Sequence, residues 1–207
     1  LGKRNMELLV ATRNKKKLKE IKEILNGLGL KIKSLTDYKQ LPRIKENGRT
    51  FKENAVKKAV KIAGSTKKLC MGEDSGLCVN VLHGKPGIYS SRFSGKDKND
   101  LKNNLKLLKL LGRIPLHKRI AHYTCCVALA DRHGLIGAVE GKCYGIIGFE
   151  QKGHFGFGYD PLFIIPKYGK TFAQLGPGIK HKISHRFRAL EKARKLLQKY
   201  IEQHKKG

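Results

Sequence analysis

The chain has 207 residues, 40% of them hydrophobic, enough to bury a real core in one domain or in one domain of two lobes. Its 45 Lys and Arg against 16 Asp and Glu give a formal charge of +29, which attracts polyanions: nucleotides, nucleic acid or an anionic membrane. No apolar run approaches the roughly 20 residues that span a bilayer, and the opening LGKRNMELLV is too short and polar for a signal peptide, so no membrane partner is expected.

Residues 1–5 read as an N-terminal extension or cloning remnant, and Met6 opens the first apolar run, ELLVA at 7–11, a short central strand. Asn14 is placed to cap a helix over KKKLKEIKEILNGLG, where Leu18, Ile21, Leu25 and Leu28 recur at helical spacing and Gly27 and Gly29 close it. KIKSL alternates as a second strand, and the polar stretch from Asp37 to Arg49 reads as a loop. Thr50 with Glu53 makes a capping-box pattern before a helix that carries Phe51, Ala55, Ala59 and Ile62 on one face and ends at Gly64.

LCMGE is the next buried strand, ending in the acidic pair Glu73 and Asp74. HGKPGIYSSRFSGK is a long Gly/Ser/Pro loop of the kind that often carries function. Leu101, Leu105, Leu108 and Leu111 mark a third helix; AHYTCCVALAD and LIGAVEGKCYGII, separated by RHG, form an antiparallel hairpin. GFGYDPLFIIP supplies a glycine-rich loop and a short strand. From about Ser184 the chain is an amphipathic helix with Phe187, Leu190, Leu197 and Ile201 on one side. Strand–helix units mixed with a hairpin make an α/β fold, and no linker divides residues 6–207 into independent domains. Cys70, Cys78, Cys125, Cys126 and Cys143 are odd in number, lack a Cys-x-x-Cys pair and lie mostly in apolar segments. They read as reduced core thiols of a cytoplasmic protein.

Four segments carry chemistry. ATRNKKK feeds a strand into a helix N-terminus that favours an anion, with Thr12 and Asn14 as hydrogen-bonding groups and Lys17 as a point charge; its plain reading is a helix cap. GEDSG places adjacent carboxylates where they can hold a hard cation and orient water against phosphate, with Ser75 beside them; its plain reading is an acidic turn. GFGYDP offers Phe157 for base stacking and Asp160 as acceptor for ring N–H groups. KHKISHR gathers Lys180, Ser184, His185 and Arg186, donors suited to phosphate or carbonyl oxygens.

Taken in order, TRNKKK, TFKENAVKKA, EDSGLCVNVLHGKPGIYSSRFSG, GFGYDPLF and ISHRFRAL resemble the inosine triphosphate pyrophosphatase family, the Ham1-like non-canonical purine NTP pyrophosphatases, from about Glu7 to Leu197. The resemblance implies an elongated mixed central β-sheet with flanking helices and two lobes around a substrate cleft. It implies a homodimer that hydrolyses ITP, dITP and XTP to the monophosphate and pyrophosphate with Mg²⁺. Thr12, Asn14 and Lys17 match the family's T-x-N-x-x-K, and Lys58 matches a phosphate-reaching lysine. Asp74 matches the general base and metal ligand, with Glu73 beside it, and Ser75 matches a substrate contact. Phe157, Gly158, Tyr159 and Asp160 match the base-binding loop, and Lys180, His185 and Arg186 match further substrate contacts. On this reading Lys17, Lys58 and Lys180 draw in the triphosphate and keep Asp74 ionised, while Arg186 and His185 donate to the 6-keto oxygen.

Two departures stand out. PRIKE replaces an acidic stretch with Arg43 and Lys45, so a metal ligand is lost or Glu46 must serve, and GIK retains Lys180 but drops two glutamates. The charge and PRIKE favour an alternative, a basic nucleic-acid-binding protein of the same fold with weak or lost catalysis. The intact Lys17, Asp74, Asp160, His185 and Arg186 favour the enzyme.

Overall fold

The computed structural model describes residues 6–204; the reading of residues 1–5 as an extension lies outside the described residues. Seven strands form one mixed sheet: β1 (Glu7–Val10), β2 (Lys31–Ser34), β3 (Leu69–Val79), β4 (Ile120–Asp131), β5 (Gly134–Ile147), β6 (Phe163–Ile165) and β7 (Lys170–Thr171), in the order β2-β1-β3-β4-β5-β6-β7. β1 pairs in parallel with both β2 and β3, whereas β6 is antiparallel to β5 and to β7. The helices are α1 (Lys15–Ile24), α2 (Phe51–Thr66), α3 (Asp100–Leu111), α4 (Phe172–Ile183) and α5 (His185–His204). The α/β class and the mixed central sheet with flanking helices are as the sequence implies.

The chain divides into two compact units, neither continuous in sequence. The first takes residues up to Asp74, Cys125–Gly141 and the chain from Arg186; the second takes Ser75–Thr124 and Lys142–His185. In the first unit, alternation along β1 sends Leu8 and Val10 into one cluster with Ile21 of α1, Leu25 at its C-cap, and Leu190 and Leu197 of α5. Leu9 points the other way, against Ala55, Ala59 and Ile62 of α2. Burial on both faces is why these strands read as continuous apolar runs. In the second unit Leu107 and Leu111 of α3 pack with Leu77, Tyr123, Phe163 and Phe172.

Local signals account for the helix starts. Asn14 Oδ1 accepts from the N–H groups of Lys16 (3.0 Å) and Lys17 (3.1 Å), and Thr50 Oγ1 accepts from Glu53 N–H (3.0 Å). Glu53 completes only half of the expected box, since its Oε2 accepts from Arg49 N–H (2.8 Å) rather than from Thr50. Gly64 does not end α2, which runs on to Thr66 and stops at Lys67 in a left-handed conformation.

Two further expectations are corrected. β3 continues through Glu73, Asp74 and Ser75 to Val79, so the acidic pair lies inside a strand rather than at its end. α3 buries Asn103, Asn104, Leu107 and Leu111, while Leu101 and Leu105 are exposed, so the leucine spacing misplaced its inner face. α4 shows no clear period in the sequence, because Gly176, with φ of 74°, and Pro177 break it into two pieces, although Thr171 and Gln174 form a full capping box at its start.

Candidate active site

In the first unit the chemistry gathers where β3 meets α2. Gly72 is what lets them approach: a Cβ there would stand 2.0 Å from the carbonyl oxygen of Ala55. That closeness, with small Ala55 and Ala59 on the facing helix, brings two α2 side chains onto Asp74. Asn54 Nδ2 donates to Asp74 Oδ2 (3.0 Å), and Lys58 Nζ donates to Asp74 Oδ1 (3.2 Å) and to the backbone oxygen of Glu73 (3.1 Å). Asn54 is itself aimed, since its Oδ1 accepts from Gly48 N–H at 2.8 Å. Lys58 also pairs with Glu46 Oε2 at 3.1 Å, so Glu46 does reach this cluster despite Arg43 and Lys45 beside it in sequence.

Asp74 is buried, and burial pushes its carboxyl above the ordinary aspartate range; the charges of Lys58 and Lys17 pull the other way and do not win. The lysines act in the expected direction, favouring the ionised carboxylate, but desolvation is the larger effect. Lys58 shows the complementary result. Burial disfavours its charge, but Asp74, Glu46 and Glu73 outweigh that and raise it.

Glu73 points elsewhere in the same unit. Its Oε2 pairs with Lys17 (2.8 Å), and its Oε1 accepts from Arg186 Nη2 (3.1 Å) and from the Cys125 thiol (3.2 Å). Arg186 bonds Glu20 of α1 through Nη1 and is 1% exposed. Burial alone would favour discharge of its guanidinium, and the carboxylates of Glu73 and Glu20 reverse that. The Arg186 fork is thus engaged by Glu20 through Nη1 and by Glu73 through Nη2. A buried guanidinium requires paired carboxylates, and Glu20, buried on α1, supplies one that the sequence reading passed over. Thr12 Oγ1 accepts from Asn14 N–H (3.1 Å), which shapes the turn into α1 beside Lys17.

Among the described residues no three His, Cys, Asp or Glu side chains are grouped so as to hold a metal ion. Two carboxylates do converge, because Asp74 and Glu46 share one ammonium, that of Lys58. Such a pair suits Mg²⁺, which takes one or two carboxylates and completes its shell with phosphate oxygens and water. Glu73, expected as a further ligand, directs its carboxylate oxygens to Lys17, Arg186 and Cys125.

The second unit holds the other predicted group. Ser75, half-buried, is its first residue. In the loop after β5, Asp160 Oδ2 accepts from Phe157 N–H (2.9 Å) and from Lys180 Nζ (2.6 Å). Gly156 is required by that turn: φ is +82°, and a Cβ would lie 2.1 Å from Asp160 Oδ2. Lys180, on α4, sits 4.5 Å from the Phe157 ring centroid. Tyr159 is buried and donates to the backbone oxygen of Ser90 (2.9 Å), which anchors the loop rather than offering a hydroxyl to a ligand. His185 stacks on Tyr123 with centroids 4.5 Å apart and planes 12° from parallel.

The Ham1 family model matches residues 8–196, nearly all that the structure describes. The chain belongs to the Ham1 family. A dITP/XTP pyrophosphatase from Desulforamulus reducens is 46% identical over 199 residues, covering 96% of this chain and 99% of that protein. Among solved structures, a HAM1 protein from Coxiella burnetii aligns with a TM-score of 0.86 at 36% identity, covering 94% of this chain and 99% of its own. The Staphylococcus aureus Ham1 protein aligns at 0.82 and 35%, covering 95% and 98%.

In the group of the first unit, sequence reasoning missed Asn54, Glu20 and Cys125. Asn54 had a usable signal, a polar residue one turn before Lys58 on an otherwise apolar-and-alanine helix face. Glu20 had none, because its partner Arg186 lies 166 residues away.

Proposed function

We propose that this protein hydrolyses non-canonical purine nucleoside triphosphates (ITP, dITP and XTP) to the monophosphate and pyrophosphate, clearing them from the nucleotide pool. The observation that carries the reading is the buried Asp74 carboxylate, fixed at both oxygens by Asn54 and Lys58, in a chain whose curated relatives are dITP/XTP pyrophosphatases. The alternative of a nucleic-acid-binding protein with lost catalysis is not favoured, since this machinery is intact.

Asp74 is the general base. Held by Asn54 and made more basic than a surface aspartate by burial, it takes a proton from the attacking water at its carboxylate. Lys58 serves two roles. It keeps Asp74 from protonating outright, and its ammonium is spread over three oxygens at 3.1–3.2 Å rather than committed to one, so it can turn toward phosphate. Lys17, anchored by Glu73, adds charge at the start of α1, whose N-terminal end favours an anion. Asp74 and Glu46 are the residues that would hold Mg²⁺, which when bound neutralises phosphate charge and polarises the bond to be broken.

The second unit carries chemistry suited to a keto purine. Phe157 offers a stacking face over a loop that Lys180 fastens through Asp160, while His185 is a donor for a 6-keto oxygen. Asp160, with Oδ2 engaged by Phe157 and Lys180, shapes that loop. Adenine presents an amino donor in place of the keto acceptor and leaves buried donors unsatisfied, so discrimination of roughly 10²- to 10⁴-fold follows.

We further read residues 6–207 as one domain, since each unit is assembled from interrupted segments that could not be cut out alone. A homodimer in the cytoplasm is the state the family resemblance implies. All five cysteines are free thiols, in keeping with a reducing compartment, and exposed Tyr89, Leu101 and Leu105 provide apolar surface for a second copy.

Pyrophosphate release from dITP, XTP, GTP and dATP, with Mg²⁺ and after its chelation, tests the reading. Activity requires the cation, dITP and XTP far exceed dATP, and Asp74→Asn lowers kcat by at least ~10²-fold. Comparable kcat/KM for dATP and dITP, or near-normal turnover by Asp74→Asn, would overturn it.

A further inference from the structure

Asparagine is a poor choice for the buried face of a helix, because it has low helix propensity and its amide must find partners away from water. α3 nonetheless buries two in succession, Asn103 and Asn104, each 2% exposed, while leucines on the same helix face solvent. What the asparagines touch explains the inversion. Asn104 Nδ2 donates to the backbone oxygen of Gly158 (3.1 Å) and to Gln151 Oε1 (3.0 Å). One turn earlier, Asp100 Oδ2 accepts from Gly158 N–H at 2.8 Å. Residues four apart share a helix face, so one face of α3 holds both polar groups of a single residue, Gly158. Asn104 Oδ1 makes no hydrogen bond among the described residues, so the side chain is used only as a donor.

Gly158 directly follows Phe157, whose own N–H is fixed by Asp160. The ring is therefore held from both sides: by Asp160 within the loop, and by Asp100 and Asn104 from the helix. Asn103 ties down the neighbouring loop in the same way. Its Oδ1 accepts from Ser94 N–H (2.7 Å) and Ser94 Oγ (2.8 Å), and its Nδ2 donates to the oxygen of Ser91 (3.3 Å).

We propose that Asp100 and Asn104 are positioning residues for base selection: by clamping the Gly158 peptide they set where the Phe157 ring lies. This rests on the reading of Phe157 as the base-stacking residue. Neither side chain reaches phosphate or the reacting water; both act through Phe157. Their loss should therefore appear in KM and in the choice between bases, not in the chemical step.

Steady-state kinetics with dITP, XTP and dATP on Asn104→Asp, Asp100→Ala, Asp100→Asn and Phe157→Ala test this. Asn104→Asp keeps the shape but turns an acceptor toward the Gly158 oxygen. The expected result is a rise of about 10-fold in KM for dITP and XTP, kcat within about 2-fold, and a dITP-over-dATP preference reduced by about 10-fold. Asp100 is exposed at the helix start, so Asp100→Ala stays folded and carries the test even if the Asn104 variant does not; its KM should rise about 3-fold. Asp100→Asn retains an acceptor for the Gly158 N–H and should restore most of that loss. Unchanged KM and preference in Asn104→Asp and Asp100→Ala, with both altered in Phe157→Ala, would overturn the clamp alone. Unchanged values in Phe157→Ala itself would overturn the base-loop reading beneath it. Equal changes in kcat for every substrate would mark α3 as merely structural and also sink the proposal.

Discussion

Each unit buries one lysine against one carboxylate, and the two pairs are built differently. In the first unit Lys58 lies 3.1–3.2 Å from each of three oxygens, and Asp74 is shared between Lys58 and Asn54. In the second, Lys180 is 2.6 Å from Asp160 Oδ2, beneath an aromatic ring. A charge spread over several longer bonds can be redirected toward a ligand, while a short charged pair behaves as a fastener. The first arrangement suits a base and a phosphate contact that exchange partners during a reaction. The second suits a loop that has to stay where it is. Beside the first lies a further network, Lys17–Glu73–Arg186–Glu20, which takes on the fastening role there and leaves Lys58 adaptable.

The largest expected effect strikes that network. Arg186→Met leaves Glu20 and Glu73 buried without the guanidinium and should destabilise the protein by about 3–5 kcal/mol, measured by chemical denaturation. A loss below about 1 kcal/mol with turnover abolished would mean that Arg186 is a substrate contact rather than a fastener.

Gly72→Ala comes next. Its Cβ cannot coexist with the Ala55 carbonyl oxygen, so α2 must shift and carry Asn54 and Lys58 with it. A stability loss of about 1–3 kcal/mol is expected together with a fall in kcat, because overpacking moves backbone. Lost stability with unaltered kcat would show that turnover tolerates displacement of the two partners of Asp74.

Lys180→Met addresses the fastener in the second unit. KM for dITP should rise about 10-fold while kcat holds, since the loop loosens but Asp74 does not. A drop in kcat alone would erase the contrast between the two lysines.

The smallest effect lies away from both pairs. Glu7 is held below the ordinary glutamate range: burial opposes this, but bonds from Lys68 and Tyr38 prevail. A folded-state pKa below the unfolded one adds stability above the unfolded value and loses it as pH falls through the folded value. The melting temperature of the wild type should therefore fall more steeply below about pH 4 than that of Glu7→Gln, by only a degree or two because the pair is largely solvated. Identical acid limbs would remove Glu7 from the account.

Much of this protein was determined by local sequence. The caps at Asn14 and Thr50, the apolar runs of β1 and β4 and the order of short motifs are read from neighbours a few residues apart, and they place the α/β class and the main site segments. The register of Glu73 and Asp74 inside β3, the inner face of α3 and the partners of Arg186 were decided only by tertiary structure. Leu101 and Leu105 are better helix-core residues than Asn103 and Asn104 by any local measure, yet the asparagines are inside because loop backbone polar groups needed partners there. Arg186 took carboxylates 166 and 113 residues distant because a buried guanidinium requires them wherever the fold can supply them. Hydrophobic period and capping act over one or two helical turns, while satisfaction of buried polar groups acts across the whole chain, and only the second depends on which distant segments meet.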